Sequence, residues 1–221
     1  MQAHLQSNAI HSQTTRSRSR QAGFSLVELS VALAISAVVL MAALAGVRKL
    51  VDSSNANTAL TQMGSSIANM SKTAQALGDQ SIYDDTLLMG RMGVFDNASV
   101  IRGGENGAVS QIRNPFGGYV WTSRNKVLAD DAPINTALWY VVTGVPNSAC
   151  PDLVTGLNNS AYSIYVSAAS DASKQFNGTN PASVGVVPPP KVKGGAMSPA
   201  NVQASCSDVG TTKDIYVLTN T

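Results

Sequence analysis

One stretch constrains this chain more than any other. From Leu29 to Val47 run 19 residues interrupted only by Ser30 and Ser36, with a single glycine, Gly46, near the end. At 1.5 Å per residue, a helix of that length spans about 29 Å, the thickness of a bilayer's hydrocarbon core. Arg18 and Arg20 precede the run, and Arg48 and Lys49 follow it. The plain reading is a signal-anchor helix. An ordinary secretory signal fits badly, because its apolar core covers only about 7–15 residues and its cleavage site follows that core. Here the run is longer, and the sharpest change of composition, at Gly23-Phe24, lies before it.

Glu28 resists the anchor reading. It sits between Val27 and Leu29, inside the apolar segment. An unpaired carboxylate in lipid costs several kcal/mol, and such residues usually have a partner. A cut after Gly23 creates an α-amino group on Phe24, about one helical turn from Glu28. Between staggered copies, the same amine pairs with a neighbour's Glu28, which registers one helix against the next.

These residues carry a family resemblance. Arg20-Gln21-Ala22-Gly23-Phe24-Ser25-Leu26-Val27-Glu28-Leu29 resembles the class III signal of type IV prepilins: a glycine, an apolar first mature residue, and a glutamate four positions later. The resemblance implies that a prepilin peptidase cuts after Gly23 and N-methylates Phe24. It also implies that Glu28 guides assembly. Residues 1–23 become a leader whose Arg16, Arg18 and Arg20 stay cytoplasmic by the positive-inside bias.

The helical signal continues past Val47. Leu60, Met63, Ile67, Met70, Ala74 and Leu77 recur at helical spacing and form one apolar stripe. The first proline is Pro115, and Gly78-Asp79 is a helix stop. Phe24 to Leu77 therefore reads as one helix, with a membrane half over 24–50 and an amphipathic half over 51–77. A soluble coiled coil is the alternative use of the stripe. Packing on a sheet is preferred because strands follow, at Gly118–Thr122, Ala137–Thr143, Tyr162–Ala168 and Asp214–Thr219.

Residues 78–115 read as glycine- and Asp-rich connections with short apolar pieces at Thr86–Met89 and Ser99–Ile101. Gly103-Gly104-Glu105-Asn106-Gly107 is a turn and not a phosphate loop, since no strand–loop–helix context surrounds it. A short helix is expected over 151–158, and 169–205 reads as loop. The fold class is α+β: a long N-terminal helix packed on an antiparallel sheet, in a globular head covering 51–221.

The only cysteines are Cys150 and Cys206. In an exported protein they read as one disulfide, closing the region 150–206; two buried free thiols are the alternative. Further pieces resemble the PilS-type subset of type IVb pilins. They are Ile112-Arg113-Asn114-Pro115-Phe116-Gly117-Gly118, Cys150-Pro151-Asp152-Leu153-Val154, and Cys206 ahead of a last strand ending Tyr216-Val217-Leu218.

Chemistry is thin. The only histidines are His4 and His11, so no imidazole lies beyond Gly23. That removes His-dependent catalytic triads and most zinc sites. Asp84-Asp85 and Asp130-Asp131 read as solvated charge, and Asp79, Asp84 and Asp85 lack calcium-loop spacing. Trp121, Trp139 and Tyr140 read as sheet core. Lys191 and Lys193 make only a weak basic patch. Removing the three leader arginines from 15 basic residues leaves 12 against 13 acidic ones, a net charge of −1. No basic field points to nucleic acid.

The sequence thus predicts a structural protein and no enzyme, with no catalytic residue, metal or cofactor. The resemblance implies a type IV pilus subunit, of the type IVb major class. Its partners are prepilin peptidase, identical subunits in a helical homopolymer, the inner-membrane assembly platform, and inner-membrane lipid before assembly. The fibre is extracellular and serves adhesion, biofilm formation, motility or conjugative contact. A type II secretion pseudopilin, a minor pilin and a membrane-anchored periplasmic binding domain are the alternatives.

Overall fold

The computed structural model describes residues 25–103, 108–126, 137–168, 189–207 and 210–219. Helix α1 covers Leu26–Leu77, 52 residues without a break. The chain divides into two compact units, residues 1–43 and 44–221. In the first unit every described residue of α1 is exposed, including Leu29, Val31, Leu33, Ile35, Val38, Val39 and Leu40. Mean hydropathy there reaches 2.4 over an 18-residue window, and by length and composition this segment is able to cross a membrane. Its two serines are satisfied within the helix. Ser30 Oγ donates to the Val27 carbonyl at 2.8 Å and Ser36 Oγ to that of Ala32 at 2.7 Å. Neither hydroxyl therefore presents an orphan donor to an apolar surrounding.

In the second unit, the later half of α1 lies on the core. Its buried residues are Ala56, Ala59, Met63, Ser66, Met70 and Ala74. This is a rotation of the stripe expected from sequence. Leu60 and Ile67 flank the contact half-buried, and Leu77 is 54% exposed. Small residues alternate with methionines along the buried line, and the larger Leu60 and Ile67 serve as its shoulders. The helix ends at Gly78, whose φ of +66° costs a glycine nothing. Gly78 N–H donates to Gln75 and Asp79 N–H to Ala74, the two bonds of a Schellman ending.

After a 3₁₀ turn over Gln80–Asp84 come α2 (Thr86–Arg91), β1 (Val100–Arg102), β2 (Val109–Ile112), β3 (Val120–Arg124) and β4 (Leu138–Pro146). Then follow α3 (Cys150–Gly156), β5 (Ser163–Ala168), α4 (Pro199–Ser207) and β6 (Thr212–Thr219). Strands β1 and β2 pair as a separate two-stranded sheet. The main sheet has the order β3-β4-β6-β5, and every neighbouring pair is antiparallel.

Alternation divides the strand residues between two cores. Val120, Leu138, Tyr140, Val142, Ile164, Val166, Ile215 and Val217 face the buried side of α1. Trp139, Val141, Tyr165, Tyr216 and Leu218 form a second cluster on the opposite face, with Trp121 and Tyr162 packed against it. Tyr140 and Trp139 thus belong to different cores.

All four expected strands are present with shifted ends. Three elements correct the sequence reading. Thr86–Arg91 is helical, with the Asp85 carboxylate accepting from Leu88 N–H as its cap. Residues 100–112 form a hairpin; the turn expected over 103–107 lies mostly outside the described residues, and Gly103 N–H closes its ends on Ala108 at 3.0 Å. Pro199–Ser207 is a helix where loop was expected. It buries only Val202, Ser205 and Cys206, so its periodicity is faint.

Candidate functional site

Glu28 stands in the first turn of α1 and is exposed. The helix N-terminus favours a negative charge at this position through its unpaired N–H groups. Gly23 and Phe24 lie outside the described residues, as does Asp130-Asp131. The structure therefore places Glu28 alone among the residues expected to direct processing and assembly.

The head is built as a rigid brace. Cys150 and Cys206 are joined, with S–S 2.00 Å and Cα–Cα 5.6 Å, so α3 and α4 are linked across 56 positions of sequence. Pro151 occupies the first turn of α3, where its missing N–H has no helical partner to lose. Between α3 and α4 lies a cleft of about 640 Å³, lined in part by Asn147, Pro151, Met197, Val202, Gln203 and Cys206. Asn147 Oδ1 on its wall is buried without a hydrogen-bond partner among the described residues, while its Nδ2 donates to the Gly210 carbonyl at 2.6 Å. Ser148 Oγ donates to the Asp52 carboxylate, which ties the α3 entrance to α1.

Asp84 is a clamp, which corrects its reading as solvated charge. Its Oδ1 accepts from Ser123 Oγ at 2.8 Å and Arg124 N–H at 2.9 Å. Its Oδ2 accepts from Arg124 Nε at 2.9 Å, with the other guanidinium nitrogen at 2.8 Å and Lys126 Nζ at 3.5 Å. Burial pushes the Asp84 carboxyl up. The bonds from Arg124 and Ser123 and the charge of Lys126 outweigh it and hold the group below the usual carboxylate range. Thr86 adds a second clasp, its Oγ1 accepting from Thr122 N–H at 2.9 Å. Edge strand β3 thus has two outward N–H groups covered by side chains, which removes a site for unwanted pairing.

Asn114 ties the β2–β3 turn to β4. Its Nδ2 donates to the carbonyls of Tyr119 at 3.1 Å and Thr143 at 2.8 Å, and its Oδ1 accepts from Phe116 N–H at 2.9 Å and Gly118 N–H at 3.2 Å. Gly118 is required by proximity. A Cβ there would lie 1.9 Å from the Thr143 carbonyl oxygen. Between helix and sheet, Ser66 and Tyr140 hydrogen-bond in full burial, and that burial drives the phenol's pKa well above its usual value.

Lys191 is 7% exposed and its ammonium donates to the Asn158 carbonyl. It therefore does not share a surface patch with Lys193. Asp79 accepts from Ser81 N–H and Ser81 Oγ, both at 2.7 Å, and begins the 3₁₀ turn. Those bonds lower its pKa. Among the described residues no group of three or more His, Cys, Asp or Glu side chains is placed to hold a metal ion. Sequence reasoning missed the roles of Asp84, Thr86 and Asn114. The Asp85-Thr86 cap signal and the Asn-Pro-Phe-Gly-Gly turn were the legible cues to the last two.

The model of the prokaryotic N-terminal methylation motif matches residues 18–44 of this chain. No curated protein matches it in sequence. Among solved structures, the chain is similar to a type IVb pilin from Salmonella typhi at 14% identity and a TM-score of 0.46, covering 73% of this chain and 97% of that one. It is also similar to TcpA, a type IV pilin from Vibrio cholerae El Tor biotype, at 14% identity and a TM-score of 0.45, covering 75% and 98%. Neither likeness is close enough to carry an assignment of function.

Proposed function

We propose that this chain is the precursor of a type IV pilus subunit, a structural protein without catalytic activity. One observation carries the reading. The N-terminal methylation motif spans residues 18–44, and inside it Glu28 stands in the first turn of a helix whose run from Leu29 to Val47 is apolar but for Ser30 and Ser36 and exposed throughout. Exposed apolar surface of that extent needs lipid or other protein around it.

The chemistry then runs in order. The leader arginines hold residues 1–23 on the cytoplasmic side while the apolar helix rests in the inner membrane. Prepilin peptidase hydrolyses the Gly23–Phe24 peptide bond, leaving the new carboxylate on Gly23 and the new amine on Phe24, which is then N-methylated. The cationic amine is the partner for Glu28, within one chain or between neighbours in the assembly platform. Burying the two charges in lipid as a pair costs far less than burying either alone. The apolar helices then exchange lipid for one another at the fibre axis, and the heads face outward on an extracellular pilus. The Asn114 turn and the Cys150–Cys206 brace occur in the segments that resemble type IVb pilins, and they support that subclass.

Intact mass and N-terminal sequencing of the protein from its native host test this reading. A chain beginning at N-methylated Phe24 is the expected result. A chain that begins at Met1, or is cut after Val47, would overturn it.

A further inference from the structure

We propose that residues 190–195 form a releasable strap over the free edge of β5, latched by Lys191. Among the described residues the main sheet ends at β5, and an edge strand presents a row of N–H and C=O groups able to pair with another chain. The strap occupies part of that row. Ile164 N–H donates to the Lys191 carbonyl at 2.9 Å, and Gly194 N–H donates to the Tyr162 carbonyl at 2.7 Å. Lys193 N–H donates to Ser163 Oγ at 3.0 Å. The strap is no fifth strand, since among the described residues its ladder pairing is limited to Ile164 with Lys191.

Two features set its closing equilibrium in opposite directions. Lys191 is the latch, its buried ammonium donating to the Asn158 carbonyl in the turn after α3. A charge-assisted bond of this kind is among the stronger local contacts. Lys193 opposes it. Its φ of 53° is the only positive value at a non-glycine among the described residues, and a Cβ-bearing residue disfavours that region. Val192 to Gly195 are exposed to solvent. The far end is anchored, because Ser198 N–H donates to the Pro190 carbonyl and Asn201 Nδ2 to that of Pro189. Opening is therefore confined to the segment between Pro190 and Ser198. It leaves β5 paired with β6 through Ile164–Val217 and Val166–Ile215, and it bares the Ile164 N–H and the Tyr162 carbonyl, groups of the kind that strand addition uses.

Amide hydrogen exchange on the full chain in detergent tests the strap, independently of any fibre. The amides of Ile164, Lys193 and Gly194 exchange through an opening that leaves Ile215 and Val217 protected. Lys191→Met speeds those three by about tenfold or more, as expected for loss of a hydrogen bond to a charged group. Lys193→Gly slows them by about fivefold, because glycine has no penalty at positive φ. Exchange of the three amides at the rate of Ile215 and Val217 would show one cooperative unit and overturn the proposal. So would rates unmoved by Lys191→Met. Should that variant fail to fold, Lys193→Gly decides alone, since unchanged or faster exchange contradicts the strap.

Discussion

Replacing Cys150 and Cys206 together by serine and alanine removes the only covalent tie between α3 and α4. The closed loop spans 56 positions of sequence. In the chain-entropy treatment, opening a loop of that length returns about 4 kcal/mol of conformational freedom to the unfolded chain. The folded state has little to set against this near α4, which buries only Val202, Ser205 and Cys206. For a chain of this size, each kcal/mol moves the melting temperature by about 2–4 °C. A fall of roughly 8–16 °C follows. Thermal unfolding of the oxidised protein and of the double variant in the same detergent measures it. A fall below about 2 °C would refute the reasoning, because it would mean that the unfolded chain gains no freedom when the loop is opened.

Gly118→Ala forces a Cβ to within 1.9 Å of the Thr143 carbonyl oxygen, so the Asn114 turn must move; a loss of about 3 kcal/mol in denaturant unfolding is expected, typical of overpacking. Asp84→Asn weakens the charged bonds to Arg124 and Ser123 and costs about 1.5–3 kcal/mol near neutral pH, read as a lower denaturant midpoint. Because the folded-state pKa of Asp84 is lowered, its contribution is complete above the ordinary carboxylate pKa and is lost as pH falls through the depressed value; the variant's stability therefore declines less steeply over that acid range. Tyr140→Phe leaves Ser66 buried without its phenol partner and lowers stability by about 1–2 kcal/mol in the same assay. Glu28→Ala is expected to permit removal of the leader while abolishing fibres, scored by mass spectrometry and electron microscopy; normal fibre yield would refute the docking role of Glu28.

How much of this was legible depended on whether a residue's role follows from its own chain neighbours. The apolar run, the misplaced Glu28 and the Gly78 ending are local patterns, readable along one dimension. The four main strands are legible for the same reason, since alternation and β-branched content survive without knowledge of the partner. The stripe on α1 was half legible: Met63, Met70 and Ala74 are buried as expected, while size also marked Leu60, Ile67 and Leu77, and the buried line takes in the small Ala56, Ala59 and Ser66 instead. Helix α4 escaped because its buried face is only three residues wide, although Ser198-Pro199 carries a start signal. Ser198 Oγ accepts from Asn201 N–H at 3.3 Å there.

The clamps were invisible for a different reason. Asp84 reaches partners about 40 positions away, at Ser123 and Arg124, and Asn114 reaches Thr143. Nothing in the local sequence of Asp84 distinguishes such a clamp from a solvated turn, and the Asn-Pro-Phe-Gly-Gly turn marks Asn114 without naming its partner on β4. Asp84 serves a wider physical need. Among the described residues the sheet ends at β3 on one side and β5 on the other, and an exposed edge invites pairing with the edge of another molecule. On β3 that need is met by Thr86 and Asp84 side chains, on β5 by the backbone of 191–194 and the Lys191 latch. Under the proposed function, a subunit that polymerises through its N-terminal helices has particular reason to close these edges, because crowding heads along a fibre raises their effective concentration and with it the risk of sheet-to-sheet association. On that argument, loosening either guard should lead to disordered aggregation of assembled heads while isolated chains remain soluble.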